Sequence, residues 1–174
     1  WDGGINRHRI PLSGESFTVD GVTELSFTAI PVTGKAPPYS PHRNDAHIGD
    51  NIGIKITANS TGKSVFYAPG LGEITDGTRQ LMSESDCLLV DGTFWSENEM
   101  QKVGLGNKLA SDMGHLPQSG SGGMLEVLRP MEKPRKILIH INNTNPILNE
   151  ESEQRLKVAA EGIEVAYDGM EVEL

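Results

Sequence analysis

The sequence predicts an α/β (α+β) fold, and three observations carry that reading. The stretch Lys136–Pro146 sets Ile137, Leu138, Ile139 and Ile141 around a single histidine, His140, and then breaks into Asn142, Asn143, Thr144, Asn145 and Pro146. A run of β-formers that stops in a polar turn is a buried strand ending in a loop. Residues 17–32 and 51–67 alternate apolar and polar side chains around tight turns, the pattern of β-hairpins. Elsewhere, apolar residues recur at helical spacing in short stretches, so strands and helices share one chain.

Composition sets the outer limits. At 174 residues the chain is long enough for one domain with a real core. A hydrophobic content of 36% beside 22% charged residues is that of an ordinary globular domain. The formal net charge of -9 argues against general binding to nucleic acid or to an anionic membrane, since both need clustered Lys and Arg. No apolar run is long enough for a transmembrane helix, and no signal-peptide pattern is present. Cys87 is the single cysteine, so no intrachain disulfide forms, in keeping with a reducing, cytoplasmic setting. The chain opens Trp1-Asp2-Gly3-Gly4, without methionine or targeting segment. The expectation is an interior starting point, with an N-terminal portion outside this chain.

In order, Asp20-Gly21 turns the first hairpin. Leu25, Phe27 and Ala29 alternate with Ser26 and Thr28 until Ile30-Pro31-Val32 ends the strand. Thr33 to Asp50 is a long loop holding Pro37, Pro38, Pro41, His42 and His47, and a loop of that length in a compact domain is usually functional or mobile. Asn51 to Ala58 and Ser64 to Tyr67 form a second hairpin around Asn59-Ser-Thr-Gly62, with Ile52, Ile54 and Ile56 on one face. Ile74, Thr78, Leu81 and Met82 predict a short amphipathic helix ending before Asp86. Cys87 to Val90 is a buried strand closing on Asp91-Gly92. Trp95 to Asp112 is polar and poorly periodic. A glycine-rich turn from Gly114 to Gly123 leads into a helix from Met124 to about Leu128. The last helix takes Asn149 as N-cap, acidic residues in its first turn, a buried stripe of Leu156, Ala159, Ala160 and Ile163, and Gly162 at its end. Val165 to Tyr167 and Met170 to Leu174 are read as strands joined by Asp168-Gly169.

Three polar residues fall at element ends: Asp91 after Leu88-Leu-Val, His115 after Gly114, and His140 at the mouth of its strand. Binding groups in α/β proteins collect where strands end. If the strands are neighbours the three converge, and carboxylate with imidazole suits a divalent metal or a proton-transfer pair. Each has an ordinary alternative. Asp91 beside Gly92 is a turn-former, His115 a loop side chain capping the helix at Met124, and His140 a hydrogen-bonded core residue.

These residues carry a resemblance. Leu88-Leu-Val-Asp-Gly-Thr-Phe94 resembles the "Leu-Leu-x-His-Glu-Ala-Thr-Phe" stretch of the metallo-β-lactamase superfamily on its tRNase Z-like branch. Gly114-His115-Leu-Pro resembles its "Gly-His-Ser-Thr", and Leu138-Ile-His140 its late strand ending in a metal-binding histidine. Nearer still, Gly114 to Met124, Arg135 to Leu148 and Gly162 to Met170 resemble the C-terminal half of the B proteins of pyrroloquinoline quinone (PQQ) biosynthesis. The fold this implies is the second half of a metallo-β-lactamase-like αββα sandwich, with residues 1–174 the C-terminal portion of one domain.

The departures matter too. The superfamily's His-x-His-x-Asp-His motif is absent. No histidine stands in Pro31-Val32-Thr33-Gly34, and no carboxylate in Tyr67-Ala-Pro-Gly-Leu71 where a bridging aspartate belongs. The resemblance therefore implies a mononuclear centre rather than a two-zinc hydrolase. His140 would bind the metal, iron or zinc, with most other ligands supplied from outside this chain. Asp91 and His115 would be catalytic groups behind it, handling protons. The activity implied is metal-dependent oxidation or hydroxylation of a tyrosine-derived precursor. The alternative is a non-catalytic carrier that transports PQQ or its precursor, with Lys35, Arg43 and Arg135 as candidate carboxylate partners. Expected partners are the missing N-terminal half, PQQ or its precursor, and a second copy in a homodimer, with no nucleic acid and no membrane.

Overall fold

The computed structural model describes residues 4, 8–36, 39–43 and 45–174. Trp1, Asp2, Gly3 and the loop prolines Pro37 and Pro38 lie outside the described residues. Among the described residues, seven strands form one sheet in sequence order: β1 (Ser16–Val19), β2 (Val22–Pro31), β3 (Ile52–Ala58), β4 (Ser64–Ala68), β5 (Cys87–Asp91), β6 (Arg135–Ile139) and β7 (Ile163–Val165). Strands β1 to β4 meander antiparallel, as the Asp20-Gly21 and Asn59–Gly62 turns predict. Strands β4 to β7 run parallel, which requires crossovers, and four helices lie in them. These are α1 (Asp76–Glu84), α2 (Glu99–Lys102), α3 (Met124–Leu128) and α4 (Glu153–Ala160).

The register places Phe66 beside Leu88, and Ala68, Val90, Leu138 and Val165 in one row across four strands. That face is the core. Met82 of α1, Met124, Leu125 and Leu128 of α3, Val158 of α4 and Ile147 pack on it. Helix α1 starts where the Thr75 side chain accepts the Thr78 N–H, leaving Thr78 and Met82 on the buried side. The other sheet face carries Phe27, Ile54, Ile56 and Leu89, all half-buried.

The last sixth of the chain departs from expectation. The N-cap of α4 is Ser152, whose hydroxyl accepts the Arg155 N–H, not Asn149. Asn149 instead accepts from the Glu151 N–H in the preceding turn. Starting there, α4 is a two-turn helix that buries Val158 and leaves Leu156 60% exposed, with Ala159 and Ala160 also outside. Ile163 belongs to β7, not to the helix stripe, and β7 ends at Val165 rather than Tyr167. Gly162 follows the helix at φ 67°, the left-handed conformation expected of a glycine there. Met170–Leu174 is not a strand: its alternating pattern finds no partner in the sheet.

Candidate functional site

The parallel strands bring their carboxyl ends to one edge, and the candidate residues gather there. Asp91 is the last residue of β5, and His140 directly follows β6. His115 reaches them from the loop after a 3-10 turn, Ser111–Met113. Close backbone packing makes this possible. A Cβ on Gly92 would stand 2.5 Å from Ile141 Cδ1 and 3.0 Å from the Ile139 carbonyl, so only glycine lets the β5 turn press against the end of β6. Gly114, at φ 87°, lies against the backbone of Gly34 and Lys35 and thereby sets the long loop beside His115.

The polar run after His140 is a clamp. The Asn145 side-chain amide donates to the Gly92 and Thr93 carbonyls at 3.0 and 3.2 Å, and Gln118 donates to the Gly92 carbonyl. The Asn142 N–H donates to the Thr93 carbonyl at 3.1 Å. Buried Glu99 accepts from the Trp95 N–H and the Thr144 hydroxyl, tying the same loop to α2.

Asp91 is fully buried and fully engaged. Its Oδ1 accepts the Thr93 N–H at 2.9 Å and the Thr93 hydroxyl at 2.6 Å; its Oδ2 accepts the Leu71 N–H at 2.9 Å and pairs with His115 Nδ1 at 2.7 Å. A carboxylate has about four lone-pair directions, and all four are taken. The His115 and His140 rings stack with centroids 5.3 Å apart. Thr93 Oγ1 stands between them, 2.8 Å from His140 Nδ1 and 3.1 Å from His115 Nδ1. His140 has φ 57°, left-handed backbone that a non-glycine residue adopts at a cost of about 1–3 kcal/mol. Ligand atoms of Asp91, His115 and His140 lie within 4.8 Å of one another, close enough for one ion.

An open cavity of about 590 Å³ lies over the two histidines. Lys35, Arg43 and Lys108 line it together with Asp50, Tyr39 and Asn51, so cations outnumber carboxylates there although the chain is acidic. The Asn51 amide nitrogen is buried without a hydrogen-bond partner among the described residues. Arg135 is elsewhere: its guanidinium holds Glu164 at 2.6 and 2.9 Å. His42 and His47 form a separate, exposed group with Asp45 in the long loop, their rings 4.2 Å apart.

The structure thus brings Asp91, His115 and His140 together. Of the three cations considered, it sets Lys35 and Arg43 at the site and Arg135 away from it. Sequence reasoning missed Thr93, although it stood inside the Asp91–Phe94 motif, and Lys108, which sits in an aperiodic segment with no local signal.

Residues 2–141 match the family model described as "Beta-lactamase superfamily domain". The chain is 54% identical over 171 residues to "Coenzyme PQQ synthesis protein B" of Methylococcus capsulatus, a match covering 98% of this chain and 56% of that protein. It therefore spans about half the length of the curated relatives it matches. Among solved structures it superposes on Zn2+-bound PqqB from Methylobacterium extorquens with TM-score 0.83 and 34% identity, over 92% of this chain and 54% of that one. The short form of human tRNase Z shares the fold alone, with TM-score 0.51 and 13% identity over 89% of this chain and 45% of that one.

Proposed function

The chain belongs to the beta-lactamase superfamily, and from that premise we propose that it is the C-terminal portion of a metallo-β-lactamase-like domain acting in PQQ biosynthesis. The half-buried apolar sheet face of Phe27, Ile54, Ile56 and Leu89 supports this, since such a face calls for a second layer. The reaction is metal-dependent hydroxylation of a tyrosine-derived precursor.

The observation that carries this reading is the cavity, with two imidazoles at its floor and three cations around it. His140 fits a divalent metal: its ring is exposed to the cavity while its Nδ1 is held by Thr93. His115 fits a group that orients or passes a proton, because its Nδ1 is fixed on buried Asp91. Asp91 keeps that ring in place and carries compensating negative charge. Lys35, Arg43 and Lys108 would hold carboxylates of the precursor. Iron or zinc bound at His140, with further ligands from outside this chain, would supply the oxygen or Lewis-acid chemistry.

The test is oxygen uptake by the full-length protein, loaded anaerobically with Fe(II) and then given oxygen and a tyrosine-containing precursor. Uptake that requires the precursor and vanishes in His140→Asn is the expected result. The cation-lined cavity also favours a second reading, a carrier for PQQ or its precursor. Tight quinone binding without oxygen uptake by the wild-type protein would replace the enzyme reading with that one.

A further inference from the structure

The hydrogens around Thr93 can be counted. Its hydroxyl has one proton to give and two lone pairs, yet its oxygen lies near three partners: Asp91 Oδ1 at 2.6 Å, His140 Nδ1 at 2.8 Å and His115 Nδ1 at 3.1 Å. An ionised carboxylate only accepts. Were the hydroxyl proton given to either imidazole, two oxygens would face each other at 2.6 Å with no hydrogen between them. The proton therefore goes to Asp91. The Thr93 oxygen is left as an acceptor, so the nitrogen 2.8 Å away must carry a hydrogen. His140 is then protonated on Nδ1. His115 must also carry its hydrogen on Nδ1, because its partner at 2.7 Å is Asp91 Oδ2, which likewise only accepts.

We infer that Thr93 is a positioning residue: one hydroxyl, anchored on Asp91, holds His140 in its Nδ1–H tautomer and leaves the Nε2 lone pair free for a ligand in the cavity. His115 is held in the same tautomer by Asp91, with Thr93 as a secondary acceptor. This is the tautomer that a free histidine side chain adopts less often, so the surroundings must impose it. The arrangement also separates the roles in the cluster. Asp91 has no lone pair left to offer a metal, whereas both histidines present an Nε2. A partner that fixes one ring nitrogen selects which nitrogen the other ligand meets.

The tautomer assignment is independent of the function proposed above; only its consequence for metal binding rests on that reading. The experiment is long-range 1H–15N spectroscopy of the full-length, metal-free protein labelled with 15N-histidine, in alkaline buffer where imidazole is neutral. His115→Gln and His140→Gln assign the two rings. Wild type should show Nδ1–H at both. Thr93→Val, which keeps the shape and removes the hydroxyl, should return His140 to Nε2–H and leave His115 unchanged through Asp91. Thr93→Ser should restore the wild-type spectrum. In parallel, Zn2+ affinity should fall about 10- to 100-fold in Thr93→Val and recover in Thr93→Ser. An Nε2–H His140 in the wild type, or an Nδ1–H His140 that survives Thr93→Val, overturns the inference. If Thr93→Val does not fold, Thr93→Ala removes the same hydroxyl and is read against the same two outcomes. The expected tautomers in a protein that binds no Zn2+ would uphold the inference and count against the metal-dependent function.

Discussion

His115 Nδ1 lies 2.7 Å from Asp91 Oδ2, and the same carboxylate oxygen takes the Leu71 N–H at 2.9 Å. One buried side chain thus joins the end of β5, the loop after β4 and the loop that carries His115. Removing its charge should be felt as stability as well as chemistry. Asp91→Asn puts an NH2 where a donor already points, leaving a buried clash or an unsatisfied group. The expected loss is about 2–4 kcal/mol, from hydrogen bonds to a buried charge. A urea melt checks it: the midpoint should fall with unchanged slope. A wild-type midpoint in Asp91→Asn would mean that the carboxylate does not bear this network.

His140 makes an unusual backbone demand. At φ 57° a side chain crowds its own backbone, by about 1–2 kcal/mol in the left-handed region, and glycine escapes this. In an ordinary strand alanine is more stable than glycine, because glycine loses more freedom on folding. Here the order should reverse. His140→Gly is expected to be more stable than His140→Ala by about 1 kcal/mol, read from paired urea midpoints. If alanine wins, the left-handed backbone at this position is not kept in solution. The same argument makes His140→Asn the better choice for activity assays, since asparagine tolerates this conformation.

The cavity cations separate two sets of basic residues. Lys108→Ala and Arg43→Ala should each weaken binding of a polycarboxylate such as PQQ by about tenfold, roughly 1.4 kcal/mol, with smaller losses at high salt. Arg135→Ala should leave it unchanged, because that guanidinium is committed to Glu164. Calorimetry of the full-length protein at two ionic strengths measures this. Equal losses at all three positions would mean a diffuse charge effect and no subsite.

Much of the site was legible in the sequence because it lies where regular elements stop. A strand signal ending in Asp91-Gly92, another ending in His140 and a Gly-His turn are local patterns, and parallel pairing of β5 with β6 then makes them neighbours. What stayed hidden depends on contacts between distant segments. Thr93 matters because two histidines 22 and 47 residues away find its hydroxyl. Lys108 matters because its loop brings it to the same cavity as His115 and His140. The polar run Asn142–Asn145 read simply as a turn, while its work is to clamp the carbonyls of Gly92 and Thr93. At the C-terminal end, the Ser152 cap overrode the expected start of α4 and turned Leu156 outward. Local periodicity cannot choose between two capping residues three positions apart when packing decides.

At the opposite end of the parallel strands, Asp86 offers a pH test that leaves the site alone. It precedes β5, accepts the Ser64 N–H at 2.9 Å, and faces Lys133 and Lys63 at 3.5 and 3.6 Å. Burial pushes its carboxyl pKa up, but the Ser64 N–H and the charges of Lys133 and Lys63 together outweigh this and hold it below the usual 3.8. A folded pKa below the unfolded one means that the unfolded chain takes up the proton first as acid is added. The stabilisation is therefore complete well above 3.8 and is lost as pH falls through the lower, folded value. Asp86→Asn cannot titrate. Its deficit relative to wild type should be constant near neutrality and shrink in acid below 3.8, as read from thermal midpoints across that range. Zn2+ affinity should be the same in both proteins, because Asp86 lies a strand's length from His140. A deficit that does not change with acid would show that Asp86 acts through its shape and neutral hydrogen bonds, not through its charge.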